Sequence, residues 1–302
     1  MKIDLLSDIF RLIRLKASVY FVRDFRGPFG MSVADTGFAQ FHAVIRGRCL
    51  LSCQSETIDL EAGDIVLFPH GDDHVLSDRP GRVAVPGKQV MASFTGDHPM
   101  FNDGDNSVKL LCGHYRFDND LMHPLIESLP DLIHLKRFDR VISFSIDSIL
   151  PFLVGEMNET GPGSDIVTER LAEILLIQIF RCHLRENQTT QGFLSALTDN
   201  RLARAIALIH GSYVKTITLE DMAAAAGMSR SSFAMHFRTA AGISPNAYLM
   251  RWRLACAHTL LREQGLSIGQ TANRVGYESE VAFSRAFKRL YDISPSKVRV
   301  SV

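Results

Sequence analysis

The chain has 302 residues, 46% of them apolar, and balances 33 Lys and Arg against 33 Asp and Glu. That length supports more than one packed core, and the composition excludes a disordered chain, a collagen-like fibre or a disulfide scaffold. The neutral total hides an asymmetry: beyond residue 195 there are 14 basic and 7 acidic residues, leaving 19 and 26 before it, a formal +7 against −7. A basic module joined to an acidic one predicts a nucleic-acid partner for the C-terminal part.

The first element is an amphipathic helix, "IDLLSDIFRLIRL", whose acidic residues and short apolar face suit a barrel lid better than a membrane anchor. Residues 17–115 then alternate short β-prone runs ("SVYFV", "FHAVI", "CLLSC", "DIVLF", "KQVMASF", "KLLCGHY") with Gly, Pro and Asp breakers. The pattern predicts a small antiparallel barrel or sandwich uninterrupted by helix. Within it stand Gly63, Pro69, His70, Gly71, His74 and Asp78. Their spacing resembles the second cupin motif, Gly-x5-Pro-x-Gly-x2-His-x3-Asn, with Asp78 in the place of Asn.

Cupin enzymes converge several N and O ligands on a first-row metal. This chain has His42 in the first-motif region, Val44 where a second His would stand, and no Glu at the expected spacing. His42, His70 and His74 are the candidate ligands for a divalent metal; the other reading has these imidazoles hydrogen-bonding within turns and the barrel mouth. Five Cys without pair spacing (Cys49, Cys53, Cys112, Cys182, Cys256) predict free thiols in a reducing cytoplasm. Cys112 adjoins Gly113 and His114, and a neighbouring imidazolium would lower its pKa. Cys112, His114, Cys49 and Cys53 are therefore candidate sensor residues, against the plainer reading of a buried apolar Cys.

After "GPGSD", residues 166–186 read as a helix apolar on two faces, one with Val167, Leu171, Ile174, Leu175 and Cys182, the other with Leu176, Ile177 and Phe180. Such a helix packs on its own barrel or pairs with a second copy in a homodimer. "ENQTTQG" reads as a polar linker.

Beyond it the chain repeats itself. Ser229, Phe233, Phe237, Ile243, Ser244 and Pro245 recur 50 residues later as Ser279, Phe283, Phe287, Ile293, Ser294 and Pro295, while Ala223 and Gly227 recur 49 later as Ala272 and Gly276. Each copy reads as two helices joined tightly. Thr218 caps the first, with Asp221 where a full capping box has Glu or Gln; Gly227 stops it and Ser229 caps the next. The paired Phe residues face inward, four apart on one helix face. Two helices joined by a short Gly turn form the motif whose second helix enters the major groove.

"TLEDMAAAAGMSRSSFAMHFRTAAGISP" and "VGYESEVAFSRAFKRLYDISPSKVR" resemble the DNA-binding domain of AraC/XylS regulators. The barrel segments "FHAVIRGRCLL", "AGDIVLFPHGDDHVLSD" and "LLCGHYRFD" resemble the cupin sensors of the reactive-chlorine-responsive subgroup. The resemblance implies a multidomain α+β protein: a cupin-like sensor domain at 1–130, a helical connector at 131–190, and an all-α DNA-binding domain at 195–302. Helix-turn-helix units are expected at about 218–241 and 267–290, joined by a rigid helix from Pro245 to Leu261. Promoter DNA and RNA polymerase are the implied partners, and an oxidant or small ligand the implied signal. The outward faces offer Ser229, Arg230, Ser231, Ala234, Met235 and Arg238 in the first copy, and Ser279, Glu280, Val281, Ser284, Arg285 and Lys288 in the second. Arg285 can reach a guanine edge, Ala234 and Met235 thymine methyls, and Arg238 and Lys288 phosphates. The runner-up is a metal-dependent cupin enzyme using the helical repeat as an interaction module.

Overall fold

The computed structural model describes residues 4–34, 37–54, 56–104, 107–117, 123–137, 144–159, 161–186 and 192–298. The expected linker at 186–192 lies, apart from its ends, outside them. In chain order the elements are α1 (Leu5–Ile13), β1 (Lys16–Arg26), β2 (Gly30–Val33), β3 (Ala39–Arg46), β4 (Arg48–Cys53), β5 (Glu56–Glu61), β6 (Ile65–Phe68), β7 (His74–Ser77), β8 (Val85–Pro86), α2 (Gly87–Ser93), β9 (Ser107–Arg116), α3 (Pro124–Glu127) and β10 (Ile133–Leu135). Then come α4 (Phe144–Asn158), α5 (Ser164–Glu186), α6 (Phe193–Thr198), α7 (Asn200–Ser212), α8 (Leu219–Ala226), α9 (Arg230–Ala241), α10 (Pro245–Gln264), α11 (Ile268–Arg274), α12 (Glu280–Tyr291) and α13 (Pro295–Val298).

The chain forms two compact units, and they cut across the expected boundaries. One comprises Leu15–Arg116 and Pro130–Asn187; the other comprises the described residues of Met1–Arg14, Phe117–Leu129 and Gln188–Val302. The first unit is the barrel. Its sheets run β1-β9-β3-β6-β10 and β5-β4-β7-β2-β8, antiparallel except where β2 meets β8. Alternating residues of both sheets, such as Val44, Val66 and Leu110 against Leu51, Leu60 and Leu76, share one core. The expectation of uninterrupted strands is corrected at "KQVMASF", which forms most of α2. Only Val90 of that helix is fully buried, and Lys, Gln, Met and Ala favour helix where no ladder partner demands a strand.

The described residues of the expected connector at 131–190 pack on the barrel: β10 pairs with β6, and α5 packs on α4 and β1. Along α5 the residues Ala172, Leu175, Leu176, Ile179, Phe180 and Cys182 are buried, whereas Ile166, Val167 and Ile174 are exposed.

The second unit is helical and includes two segments that the sequence reading assigned to the barrel. Helix α1 is not a barrel lid here. It is capped by Asp4, whose side chain accepts from the Ser7 N–H, and it buries Leu5, Ile9, Leu12 and Ile13 while packing on α7 and α10. Charged partners fix the same docking, since Arg14 pairs with Glu263 and Asp8 meets His210 Nδ1 at 3.4 Å. Segment 117–129 adds α3, where Glu127 receives both contacts from Arg251 of α10, at 2.8 and 2.9 Å. Between these segments runs a buried chain: His123 Nε2 lies 3.4 Å from the Tyr248 hydroxyl, which lies 2.7 Å from His210 Nε2. The Leu125 N–H donates to His123 Nδ1, so the His123 proton is on Nε2. His123 therefore donates to Tyr248, Tyr248 to His210 and His210 to Asp8, which leaves every group satisfied with both imidazoles neutral. Burial pushes His123 and His210 down to about 3.

Candidate nucleic-acid interface and barrel interior

Local chemistry builds the two helix pairs. The Thr218 capping box forms in full: its N–H donates to Asp221 Oδ2 at 2.9 Å and the Asp221 N–H donates to its Oγ1 at 3.1 Å. Asp221 does here what Glu or Gln usually does, and the box is complete. Ser267 and Gln270 form the matching box on α11. Gly227 ends α8 at φ +68°, and Gly276 turns at φ +79° with its backbone so close to Val214 that a Cβ would lie 2.6 Å from that carbonyl oxygen. Ser229 and Ser279 cap α9 and α12. Phe233, Phe237, Phe283 and Phe287 are fully buried, and the rings of each pair stand 5.6 Å apart. Helix α10, longer than expected, contacts both pairs.

Burying those Phe residues sets which positions face out. Ser229, Arg230, Ser231, Met235 and Arg238 are exposed on the first copy, as are Ser279, Glu280, Val281, Arg285 and Lys288 on the second; Ala234 and Ser284, equivalent in the repeat, are half-buried. Met235 and Val281 are 70% and 59% exposed, so each outward face presents an apolar side chain. Arg230 is engaged by Glu220 at 2.7 Å. Glu280 lies against Gly269, its Oε2 2.8 Å from where a Cβ would stand. His236 joins α9 to the start of α7 through Asp199 at 2.7 Å. Asp199 is partly raised by burial, yet hydrogen bonds from His236, Arg201 and Leu202 hold it well below the usual carboxylate range.

In the barrel, the β3–β9 ladder pairs His42 with Cys112, and the β4–β7 ladder pairs Cys53 with His74. His42 bridges the two sheets: Nδ1 lies 2.9 Å from Cys112 Sγ and Nε2 lies 2.7 Å from His74 Nε2. His74 Nδ1 donates to the Asp72 carbonyl at 2.8 Å and its ring stacks on Phe68 at 3.9 Å. With that proton placed, His74 Nε2 accepts from His42 Nε2–H, and His42 Nδ1 accepts the Cys112 thiol proton. Burial lowers His42 well below its ordinary value and His74 to about 4.

These positions correct two expectations. His114 is not the imidazole beside Cys112; it stacks on Tyr20 at 4.9 Å. The thiol is raised rather than lowered, because burial penalises the thiolate and the adjoining His42 is neutral; burial likewise pushes Cys49 up to about 12 and raises Cys53. Nor do the residues fit the divalent metal that a cupin barrel implies. His42 and His74 turn their Nε2 atoms on each other, Cys112 occupies the opposite nitrogen of His42, and His70 is exposed. Among the described residues no three His, Cys, Asp or Glu side chains converge as a metal site. Asp78, in the Asn position of the motif, is held below the usual range by Arg82, which forks onto it at 2.6 Å through both nitrogens.

Beside the His42–Cys112 pair opens a cavity of about 370 Å³ lined by residues including Tyr20, Phe21, Met31, Gln40, Lys88 and Met91. Sequence reasoning missed it. No motif marks a space enclosed by β1, β2, β3, α2 and β9; the nearest signal was the inward alternation at His42 and Cys112.

A cupin-like barrel of two sheets followed by a duplicated helix-turn-helix pair defines a two-part transcription regulator. A cupin family model matches residues 4–185 and a helix-turn-helix domain model matches 222–301. The HTH-type transcriptional regulator AlkR of Acinetobacter baylyi is 31% identical, over 98% of this chain and 99% of its own. A putative AraC-like transcription regulator of Streptomyces lividans is 30% identical over 98% of both chains. The RCS-specific HTH-type transcriptional activator RclR of Escherichia coli is 26% identical over 92% of this chain and 89% of its own. Among solved structures, the DNA-binding domain of AdpA in complex with a target DNA is similar at 32% identity, with 32% of this chain and 86% of that chain covered and a TM-score of 0.31. The chain belongs to the AraC-type transcriptional regulators that carry a cupin domain ahead of the helix-turn-helix domain. No helix among the described residues is long and apolar enough to cross a membrane.

Proposed function

We propose that the chain reads promoter DNA with α9 and α12 in successive major grooves and that the barrel modulates this binding in response to a signal. The carrying observation is the exposed face repeated on the two helices, aligned by identical buried Phe pairs. Arg285 recognises a guanine edge, Met235 and Val281 meet thymine methyls, and Arg238 and Lys288 hold phosphates; the capping Ser229 and Ser279, with Ser231 and Ser284, supply hydroxyls to the backbone. Arg230 joins them on leaving Glu220, while Glu280 excludes phosphate from its end of α12. Footprinting with Arg285→Ala tests the assignment: selective loss on the operator is expected, and equal loss on operator and random DNA would remove Arg285 from base reading.

The protein works in the cytoplasm with RNA polymerase, and activation as the sign is supported by RclR, which is named an activator. Exposed Phe152, Ile166, Val167 and Ile174 on α4 and α5 support a homodimer through that face. Of the two signals, a small ligand is favoured over an oxidant, because Cys112, Cys49 and Cys53 are held as thiols and the thiolate is the reactive form.

A further inference from the structure

The cavity beside His42 has a graded chemistry. Its inner end presents Gln40, His42 and Cys112, each at most 2% exposed. These are uncharged groups, since the hydrogen-bond chain through His74 keeps the imidazole and the thiol neutral. Its walls are apolar, from Phe21, Met31, Val33 and Met91. Its outer end carries exposed Lys88, the one charged group among the described lining residues. Among the described residues no Asp or Glu lines the space, so the lining gives a cationic ligand no counter-charge there. A sugar would leave hydroxyls unpaired against the apolar walls. A volume of about 370 Å³ lies near the small end of ligand pockets, roughly 300–1,000 Å³.

We infer that this cavity binds a small, mainly apolar carboxylic acid, with its carboxylate on Lys88 and its body directed inward toward the neutral Gln40–His42–Cys112 end. The inference rests on the reading of the barrel as the signal-sensing half and names the chemistry of the signal. A charge-assisted bond from Lys88 selects the anion, and burial of the body supplies most of the affinity. The neutral inner end accommodates a single hydroxyl or carbonyl on the far side of the ligand and disfavours a second charge.

Calorimetric titration of the full chain with benzoate and hexanoate, beside benzyl alcohol and benzylamine, tests this. Both acids should bind, benzyl alcohol should bind about tenfold more weakly, and benzylamine should not bind. Lys88→Gln should weaken the acids by about tenfold while leaving benzyl alcohol unchanged. Val33→Trp, which puts an indole in place of an apolar wall residue packed on the barrel core, should abolish every titration. Equal binding of acid and alcohol, or Lys88→Gln without effect, overturns the carboxylate assignment; absence of heat from all four probes, or binding that survives Val33→Trp, overturns the site. Fluorescence anisotropy with promoter DNA on the same samples separates the two readings. Retained DNA binding with no ligand response sinks only the cavity inference, whereas a well-folded chain with no DNA preference sinks the regulator reading.

Discussion

The two helix-turn-helix units share a core and differ in nearly everything else. The first is deeply anchored: α6 and α7 pack on it, Asp199 ties His236 to it, and the His123–Tyr248–His210–Asp8 chain wires α1 and the residue preceding α3 into the adjoining α10. Its outward face is chemically poor, with Met235 where the second copy has Arg285 and with Arg230 engaged by Glu220. The second unit is held by α10, α13 and a compact cluster of Leu254, Leu261, Val275, Phe283 and Phe287. Its face carries Arg285 and Lys288. Duplication thus preserved the packing while the outward faces diverged: the first copy is tied to α6 and α7, and the second carries the arginine to which base reading is assigned in the proposed function.

The largest expected effect concerns what the copies share. Phe237→Ala and its repeat equivalent Phe287→Ala should each cost about 3–5 kcal/mol in denaturant unfolding, because each deletes a fully buried ring in a filled core. A gap of more than about 2 kcal/mol between them would break the claim of equivalent cores. Acid should separate the copies next. Burial holds His123 and His210 at about 3, below the usual value of about 6.5, so the unfolded chain binds more protons. Their contribution is intact above about pH 6.5 and is lost as pH falls toward 3, at about 2 kcal/mol per histidine by pH 5. Amide exchange at pH 7 and pH 5 should show the first unit opening before the second; uniform loss of protection would refute the assignment.

Base reading gives smaller differences. Arg285→Ala should weaken operator binding by about 1–3 kcal/mol with little change on random DNA, whereas Met235→Ala should cost about 1 kcal/mol or less. Anisotropy on both DNAs measures this, and a larger loss from Met235→Ala would reverse the order of the copies. Smallest is Glu220→Gln. The Arg230 pair is exposed, so stability should move by less than about 1 kcal/mol. The released guanidinium should tighten DNA binding at low salt, an effect that should fade as salt screens it. Weaker binding at low salt would show that the pair positions Arg230 rather than withholding it.

Much of the DNA-binding unit was legible because its signals are local. Thr218, Gly227, Ser229 and the paired Phe residues act within one turn of their own positions, so caps, stops and faces follow from spacing. The second cupin motif was legible for the same reason, with Gly71 turning at φ +84° against the Phe38 carbonyl. Long-range pairing was not legible. His42 and Cys112 are 70 residues apart and meet because β3 and β9 are ladder neighbours, which inverted the expectation for the thiol. "KQVMASF" read as a strand because its apolar residues suit either period over seven positions.

Sequence alone determined the two-part plan, the duplicated DNA-reading unit and the residues on its outward faces, because backbone propensity, capping and hydrophobic period are encoded within a few neighbouring residues. Tertiary structure alone decided that α1 and α3 belong with the DNA-binding helices, that the barrel histidines make a neutral relay instead of a metal centre, and that a cavity opens beside them. Each depends on which faces exclude water together and on the desolvation that follows, and both are properties of packing between distant segments.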